Sequence, residues 1–183
     1  MLEIIAMATM LIDHIGAVFF PELVFLRIIG RISFPIYCFL LVRGFQYTRS
    51  FQKYLLRLVL LAIASQPVYV RLFGEDRLNV IFTLAACLII LKLMESPKIQ
   101  QIILSSLLTL ILATGFFEYG TYAIFLVLVY RFVKKPYMIL LAHFVVNFAY
   151  IFYYAWIQQL SILGSIIIIW SLRGYFPEIE INR

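Results

Sequence analysis

Apolar residues form long runs along this chain, separated by short polar or Pro/Gly segments. The runs cover about residues 4–20, 23–45, 53–72, 79–94, 99–115, 119–133, 136–155 and 158–172. About 20 residues of helix cross the hydrocarbon core of a bilayer. The pattern therefore predicts an all-α, polytopic membrane helix bundle of about eight transmembrane helices. Only Gly115-Phe116-Phe117-Glu118 separates the fifth and sixth runs, so a re-entrant pair there, or six or seven spans in total, are alternatives.

Composition supports a membrane location. Of 183 residues, 64% are hydrophobic and 13% are charged, whereas soluble domains average about 45–50% apolar and about 25% charged residues. The mean hydropathy is +1.02. These values exclude an ordinary soluble domain and predict contact with membrane lipid. No linker or low-complexity segment divides the chain, so we expect one domain over residues 1–183.

The basic residues predict the orientation of the bundle. The net charge is +6, from 15 basic and 9 acidic residues. Cytoplasmic loops are enriched in Lys and Arg, so an eight-span chain would have both termini in the cytoplasm. The basic loops explain the charge without a nucleic-acid partner. The predicted cytoplasmic side receives eleven basic residues: Arg43, Arg49, Lys53, Arg57, Lys92, Lys98, Arg131, Lys134, Lys135, Arg173 and Arg183.

Four ionisable residues lie within the first two apolar runs, namely Asp13, His14, Arg27 and Arg31. An ionisable side chain at membrane depth costs several kcal/mol unless it is paired or hydrated, and therefore marks a candidate functional site. Asp13 and His14 precede the turn at Phe20-Pro21-Glu22 by about as many residues as Arg31 follows it. At about 1.5 Å per residue, they share one depth in a helical hairpin.

This arrangement has two interpretations. In the first, Asp13 neutralises Arg31 or Arg27, and the second arginine leaves one positive charge for an anion or a developing oxyanion. His14 then faces a cavity and serves as a proton acceptor. In the second, the charged residues are an ion-pair lock between two helices, and His14 only forms a hydrogen bond.

Further polar residues are candidates for substrate binding. His143 and Asn147 are four residues apart on the seventh run, where hydrogen bonding between helices is the alternative. Gln66 precedes Pro67 and could instead fill the backbone gap that proline leaves. Asn79 could instead be a helix N-cap. Cys38 and Cys87 lie in apolar runs without metal-ligand spacing, so we expect neither a metal site nor a disulfide.

A dense basic set follows the second apolar run, comprising Arg43, Arg49, Lys53 and Arg57. Lys53 and Arg57 share one helical face, and the set could surround the cytoplasmic mouth of a cavity. Such a set suits a phosphate-rich soluble ligand. A positive-inside signal with anionic lipid contact is the alternative.

Several segments over about residues 1–95 resemble, in order, the TraX family of membrane acetyltransferases. The Asp-His-Ile-Gly and Arg-x-x-Gly-Arg-Ile-x-Phe-Pro blocks are the most specific. The C-terminal half is similar in hydropathy only. The matching segments are Ile5–Gly16, Leu26–Pro35, Phe45–Ser50, Lys53–Leu58, Ala64–Pro67 and Asn79–Leu84.

The resemblance implies an activity and roles for residues. The type member of that family is implicated in acetylating the amino terminus of conjugative pilin, with acetyl-CoA as donor. A wider resemblance is to the transmembrane acyltransferase superfamily, in which an early-span histidine is the catalytic base and acyl-CoA enters from the cytoplasm. His14 matches that histidine, Asp13 its motif neighbour, and Arg27 and Arg31 the arginines of the second block. The implied location is the bacterial plasma membrane.

On this basis the expected protein transfers an acetyl group from acetyl-CoA to an amine or hydroxyl acceptor. Arg43, Arg49, Lys53 and Arg57 would hold the CoA phosphates. The family pattern Val-Glu-Gly-Phe is replaced here by Val-Arg-Gly-Phe at residues 42–45, so the acceptor (a protein N-terminus, another amine or a sugar) stays open, as does homo-oligomerisation. Direct transfer is expected over an acyl-enzyme because no activating residue is evident near either cysteine in the sequence, and an acyl-histidine intermediate is the alternative. The alternative function is a small solute-binding membrane transport subunit.

Overall fold

A computed structural model describes residues 1–74, 76–95, 98–152 and 156–173. Over these residues the chain is helical and contains no strand, with one isolated bridge between Leu78 and Phe117. The predicted all-α class is confirmed. The helices are α1 (Leu2–Phe19), α2 (Val24–Gly30), α3 (Ser33–Tyr47), α4 (Phe51–Phe73), α5 (Val80–Met94), α6 (Ile99–Ala113), α7 (Gly120–Phe132), α8 (Pro136–Ala149) and α9 (Ile162–Arg173), with a 3₁₀ turn at Trp156–Ser161 before α9.

Each predicted apolar run contains helix. Within the described residues, three segments are long and apolar enough to cross a membrane: Leu2–Phe19, Val24–Tyr47 and Phe51–Phe73. The other apolar helices are shorter, at 10–17 residues. The eight spans and the cytoplasmic termini therefore stay predictions.

The second predicted run is not one continuous helix. It breaks at Arg31 and Ile32, between α2 and α3. Pro35 accounts for the break, since its ring clashes with the carbonyl of the residue four positions earlier and it has no N–H to donate. Proline is tolerated in the first turn of a new helix, which is where α3 places it. The Ser33 hydroxyl donates to the Gly30 carbonyl at 2.7 Å across the break.

The described chain forms two compact units. The first comprises Met1–Leu40 and Phe132–Arg183, and the second comprises Leu41–Arg131, so the boundary falls within α3. In the first unit α1 and α2 form the predicted hairpin. Gly16 permits its close packing, because a Cβ built there would lie 2.6 Å from Cβ of Leu26.

The second unit holds the end of α3 and helices α4 to α7. Its core is formed by α5 and α7, whose buried side chains include Cys87, Leu88, Tyr122 and Leu126. Helix α5 also contacts α4 and α6. Cys87 in this unit and Cys38 in the first are both buried thiols that form no disulfide with a described residue.

Several helices expose apolar side chains along most of their length. Helix α4 buries only Ala62 and exposes Leu56, Leu60 and Ile63. Helices α1, α6 and α8 also carry exposed large apolar residues. Contiguous apolar surface of this extent is unfavourable in water but is the expected surface toward lipid. These helices are therefore those of a membrane protein.

Candidate functional site

The α1–α2 hairpin brings Asp13 against both predicted arginines. Nη1 of Arg27 donates to Oδ2 of Asp13 at 2.9 Å, and Nη2 of Arg31 donates to Oδ1 at 2.8 Å and Oδ2 at 2.9 Å. Asp13 and Arg31 are each 14% exposed, and Arg27 is 33% exposed. The three side chains carry a net charge of +1. The predicted pairing is confirmed, and it involves both arginines instead of one.

Gly30 permits this ion cluster to form. A Cβ built on Gly30 would overlap the Asp13 side chain, so any larger residue would displace the carboxylate. Arg27 lies three residues before Gly30 and Arg31 directly follows it. The glycine of the Arg-x-x-Gly-Arg block therefore leaves space for the acid that both arginines bind.

His14 follows Asp13 on α1 and is half-buried. Its Nδ1 lies 2.7 Å from the Met10 carbonyl oxygen. Because a carbonyl can only accept, Nδ1 carries a proton, and the lone pair of the neutral ring is at Nε2. The backbone of α1 thus sets the tautomer that a proton acceptor at Nε2 requires.

Gln158 joins the cluster from the 3₁₀ turn. Its Oε1 accepts a hydrogen bond from Nη1 of Arg31 at 3.2 Å, and the residue is 3% exposed. Gln158 is not among the site residues predicted from the sequence. The polar pair Gln158 and Gln159 inside the last apolar run was the signal that could have indicated it.

His143 and Asn147 belong to a second polar cluster in the same unit, between α8, the 3₁₀ turn and α9. Nδ1 of His143 lies 2.6 Å from the Ser165 hydroxyl, and Nε2 lies 3.1 Å from the Ser161 hydroxyl. Nδ2 of Asn147 donates to the Gln159 carbonyl at 3.1 Å and to Ser161 at 3.2 Å. These contacts match the interhelical hydrogen-bonding alternative. A role in substrate binding stays a prediction.

Gln66 and Asn79 hold a loop in the second unit. Nδ2 of Asn79 donates to the Ala62 carbonyl at 3.0 Å, and its Oδ1 accepts from the backbone of Ile81 at 3.0 Å, which confirms the N-cap. Gln66 donates to the Arg77 carbonyl at 2.8 Å. The interpretation that Gln66 fills the gap left by Pro67 is wrong, because its amide reaches this loop instead. Substrate binding by either residue stays a prediction.

The predicted basic set lies in the second unit, at the end of α3, in the turn that follows and at the start of α4. Arg43 stacks on the Tyr47 ring at 5.4 Å, and Arg49, Lys53 and Arg57 are exposed. The structure adds Lys92, whose ammonium lies 5.8 Å from the centre of the Phe51 ring at the start of α4. The same ammonium forms an ion pair with the Glu95 carboxylate at 2.7 Å, so the end of α5 brings a paired cation to the start of α4.

In the part of the chain that the structure describes, no group of three or more His, Cys, Asp or Glu side chains could hold a metal ion. Of the predicted site residues, the structure brings Asp13, Arg27 and Arg31 together with the helix turn that carries His14. The other candidates form separate clusters.

Comparison with known proteins extends the sequence resemblance. The chain is 31% identical over 144 residues to "Probable fimbrial assembly protein FimC, serogroup H1" of Dichelobacter nodosus, which covers 70% of this chain and 59% of that protein. It is also 51% identical over 39 residues to an uncharacterized protein of Rickettsia prowazekii (strain Madrid E), covering 21% of this chain and 16% of that one. The chain thus spans under two thirds of the fimbrial relative's length. No solved structure matches.

The family match covers both histidine clusters. The model of the TraX protein family matches residues 1–173, well beyond the motifs that end near residue 95. The match includes α8, the 3₁₀ turn and α9, a region whose sequence resembled the family only in its hydropathy. The chain belongs to the TraX family.

Proposed function

We propose that this protein is an integral membrane acetyltransferase that moves an acetyl group from acetyl-CoA to an amine or hydroxyl acceptor, with His14 as general base. One observation carries the proposal. The Met10 carbonyl holds the proton of His14 on Nδ1, so a basic nitrogen lies one residue from a cluster with net charge +1. Acyl transfer requires both a base and a group that stabilises negative charge.

The proposed reaction uses these groups in sequence. Nε2 of His14 takes a proton from the acceptor as its nitrogen or oxygen forms a bond to the thioester carbonyl carbon. The carbonyl oxygen gains negative charge, which the Arg27 and Arg31 guanidiniums stabilise. The carbonyl double bond then re-forms as the carbon–sulfur bond breaks. The CoA thiolate takes the proton that His14 held and leaves as the thiol. Asp13 orients both arginines throughout.

The donor-binding part of the proposal rests on the basic set of the second unit. Arg43, Arg49, Lys53 and Arg57 hold the CoA phosphates. Exposed cations suit a phosphate-rich ligand that arrives from water. Transfer is direct, because Cys38 and Cys87 are buried in apolar surroundings that disfavour a reactive thiolate.

Family membership and the fimbrial relative support a pilus-related role. We propose that the acceptor group belongs to a surface-appendage subunit, with a protein amino terminus as the first candidate to test. The membrane placement proposed is multi-pass, with about eight spans in the plasma membrane and both termini in the cytoplasm. Cysteine-accessibility mapping of the loops tests that topology, and labelling of position 98 from the periplasmic side would overturn it.

Acetyl-CoA binding and turnover by the purified full chain test the function. We expect acetyl-CoA to raise the unfolding temperature in detergent and to be consumed when an amine acceptor is present. His14→Gln should bind acetyl-CoA but not transfer. Gln52→Leu, an exposed change on α4, is a control that should leave both unchanged. Absence of binding to the wild type would contradict the acetyltransferase, and stabilisation by an uncharged solute instead would favour the transport subunit.

A further inference from the structure

One buried donor at the ion cluster has no partner. Nε2 of Gln158 is buried and donates no hydrogen bond to any residue that the structure describes. Leaving a buried donor without a partner is unfavourable. Such a group beside a charged cluster indicates a ligand, because buried polar groups are almost always paired.

Reversing the amide does not remove this deficit. Oε1 of Gln158 faces Nη1 of Arg31 at 3.2 Å, and a guanidinium can only donate. Turning the amide by 180° would set two donors against each other. The orientation is therefore determined by Arg31, and the NH₂ group must point away from it.

The backbone around Gln158 is held from both sides. Nε2 of Gln159 donates to the Asn147 carbonyl at 3.2 Å, and Nδ2 of Asn147 donates to the Gln159 carbonyl at 3.1 Å and to the Ser161 hydroxyl at 3.2 Å. These reciprocal bonds attach the 3₁₀ turn to α8. Gln158 is thus presented to Arg31 by a fixed segment, which is the condition for a preorganised donor.

The charge of the cluster indicates what the donor would bind. Asp13, Arg27 and Arg31 sum to +1, and all three are at most one third exposed. One monoanion would neutralise them, and its oxygen could accept from the unpartnered NH₂ group.

We propose that Nε2 of Gln158, together with Arg31 and Arg27, forms a subsite for the oxygen of a small acyl group or carboxylate. If the subsite holds the acyl oxygen during transfer, the inference rests on the proposed function. Binding of a carboxylate at the same site does not depend on that function. Gln158 then touches the acyl group and limits the ligand to one that presents an oxygen acceptor.

Acetate is the probe, because it carries the acyl carbon skeleton and one negative charge. Saturation-transfer NMR with the purified full chain in detergent measures its binding, and sodium chloride at equal ionic strength controls for screening. We expect saturable binding of acetate to the wild type that chloride does not abolish. If sodium chloride at equal ionic strength abolishes the acetate signal, the subsite would be overturned.

Gln158→Glu separates ligand binding from structure. A glutamate keeps an acceptor for Arg31, so the unfolding temperature should hold, but it removes the donor and cancels the net charge. Acetate affinity should fall by about tenfold or more, the loss of one hydrogen bond to a charged group. Gln158→Met, which removes the donor without adding charge, should also weaken acetate. Gln100→Glu, the same change at an exposed residue in the first turn of α6, should bind acetate within about twofold of the wild type.

The outcomes distinguish this inference from the proposed function. Acetate binding that depends on Gln158, without acetyl-CoA turnover, would uphold the subsite and contradict the acetyltransferase. Turnover that is unaffected by Gln158→Glu and Gln158→Met would uphold the acetyltransferase and overturn the subsite. Wild-type affinity for acetate in both variants would overturn the subsite whatever the activity.

Discussion

The first unit contains two polar clusters among its apolar helices, one around His143 and one next to His14, and they differ in charge and in burial. The cluster around His143 is neutral and buried, and both ring nitrogens meet serine hydroxyls. The cluster next to His14 is charged, partly exposed and centred on Asp13, and it includes a buried donor at Gln158 without a partner in the described chain. The ring nitrogens of the first bond to other residues of the protein. The second includes the Nε2 donor of Gln158, and its three charged side chains sum to +1.

The difference favours His14 over His143 as the base of the proposed reaction. A base must reach a substrate proton, and a fully buried imidazole with both nitrogens bonded to the protein would first have to break those bonds. His14 uses Nδ1 for its own helix, and that bond leaves the basic lone pair on Nε2. A cluster whose polar groups bond to one another stabilises a fold, whereas the buried donor of Gln158 is the group that the proposed ligand would satisfy.

The largest expected effect separates the two histidines directly. His14→Gln should lower the acetyl-transfer rate by about 10²–10⁴-fold, the usual contribution of a general base, with little change in the unfolding temperature. His143→Gln should keep most of the rate per folded molecule. Radiolabelled acetyl transfer by purified protein measures both. An active His14→Gln together with an inactive, folded His143→Gln would reverse the comparison.

Removing the acid tests whether the charged cluster also stabilises the fold. Asp13→Asn leaves two guanidiniums without their counter-charge and should cost about 3 kcal/mol of unfolding free energy, the low end for breaking a buried pair because Arg27 is a third exposed. Glu22→Gln, at an exposed acid in the turn of the same hairpin, should cost almost nothing. Denaturant titration in detergent measures the two, and equal stability of both variants would contradict the ion cluster.

The sequence predicted the charged cluster better than the neutral one for a physical reason. Charges in an apolar run are rare and expensive, so Asp13, Arg27 and Arg31 were conspicuous, and the turn at residues 20–22 placed them at one depth. Serine and glutamine are common in helices and have no such cost. Ser161, Ser165 and Gln158 acquire their meaning only from the packing of α8 against α9 and the 3₁₀ turn.

The fold shows a similar limit. Apolar runs located every helix, since hydropathy is a local property. They could not reveal the break at Arg31 and Ile32, which depends on the single proline at position 35, or the space that Asp13 needs beside Gly30. They also could not place Lys92 near Phe51, because that contact requires α5 to return alongside α4.

A glycine substitution tests the steric basis of the charged cluster. Gly30→Ala places a Cβ into the Asp13 side chain, and overpacking of this kind costs about 1–3 kcal/mol. The Asp13→Gly background removes the overlapped atoms, so Gly30→Ala should cost much less there. A double-mutant cycle of unfolding free energies measures the coupling. Additive effects would show that Gly30 and Asp13 do not constrain each other.

The neutral cluster should respond as a structural element. Ser165→Ala removes the hydroxyl that lies 2.6 Å from Nδ1 of His143 and should lower stability by about 1–3 kcal/mol, because a buried ring nitrogen loses that partner. The transfer rate of the folded fraction should not change. Ser171→Ala, on the same helix and bonded only to the Ile168 carbonyl in the described contacts, is the matched control. A rate loss in Ser165→Ala without loss of stability would assign chemistry to this cluster.

The smallest effect concerns the exposed cations, where solvent screens each charge. Lys53→Ala and Arg57→Ala should each raise KM for acetyl-CoA by a few-fold and leave kcat unchanged, because an exposed ion pair contributes about 0.2–1 kcal/mol. The effect should shrink as ionic strength rises and the Debye length falls from about 10 Å at 0.1 M. Arg71→Ala, an exposed arginine in the last turn of the same helix, should leave KM unchanged. An equal rise in KM for Arg71→Ala would mean that the cations act through the overall charge of the protein, and the donor would then require a binding site outside the α3–α4 turn.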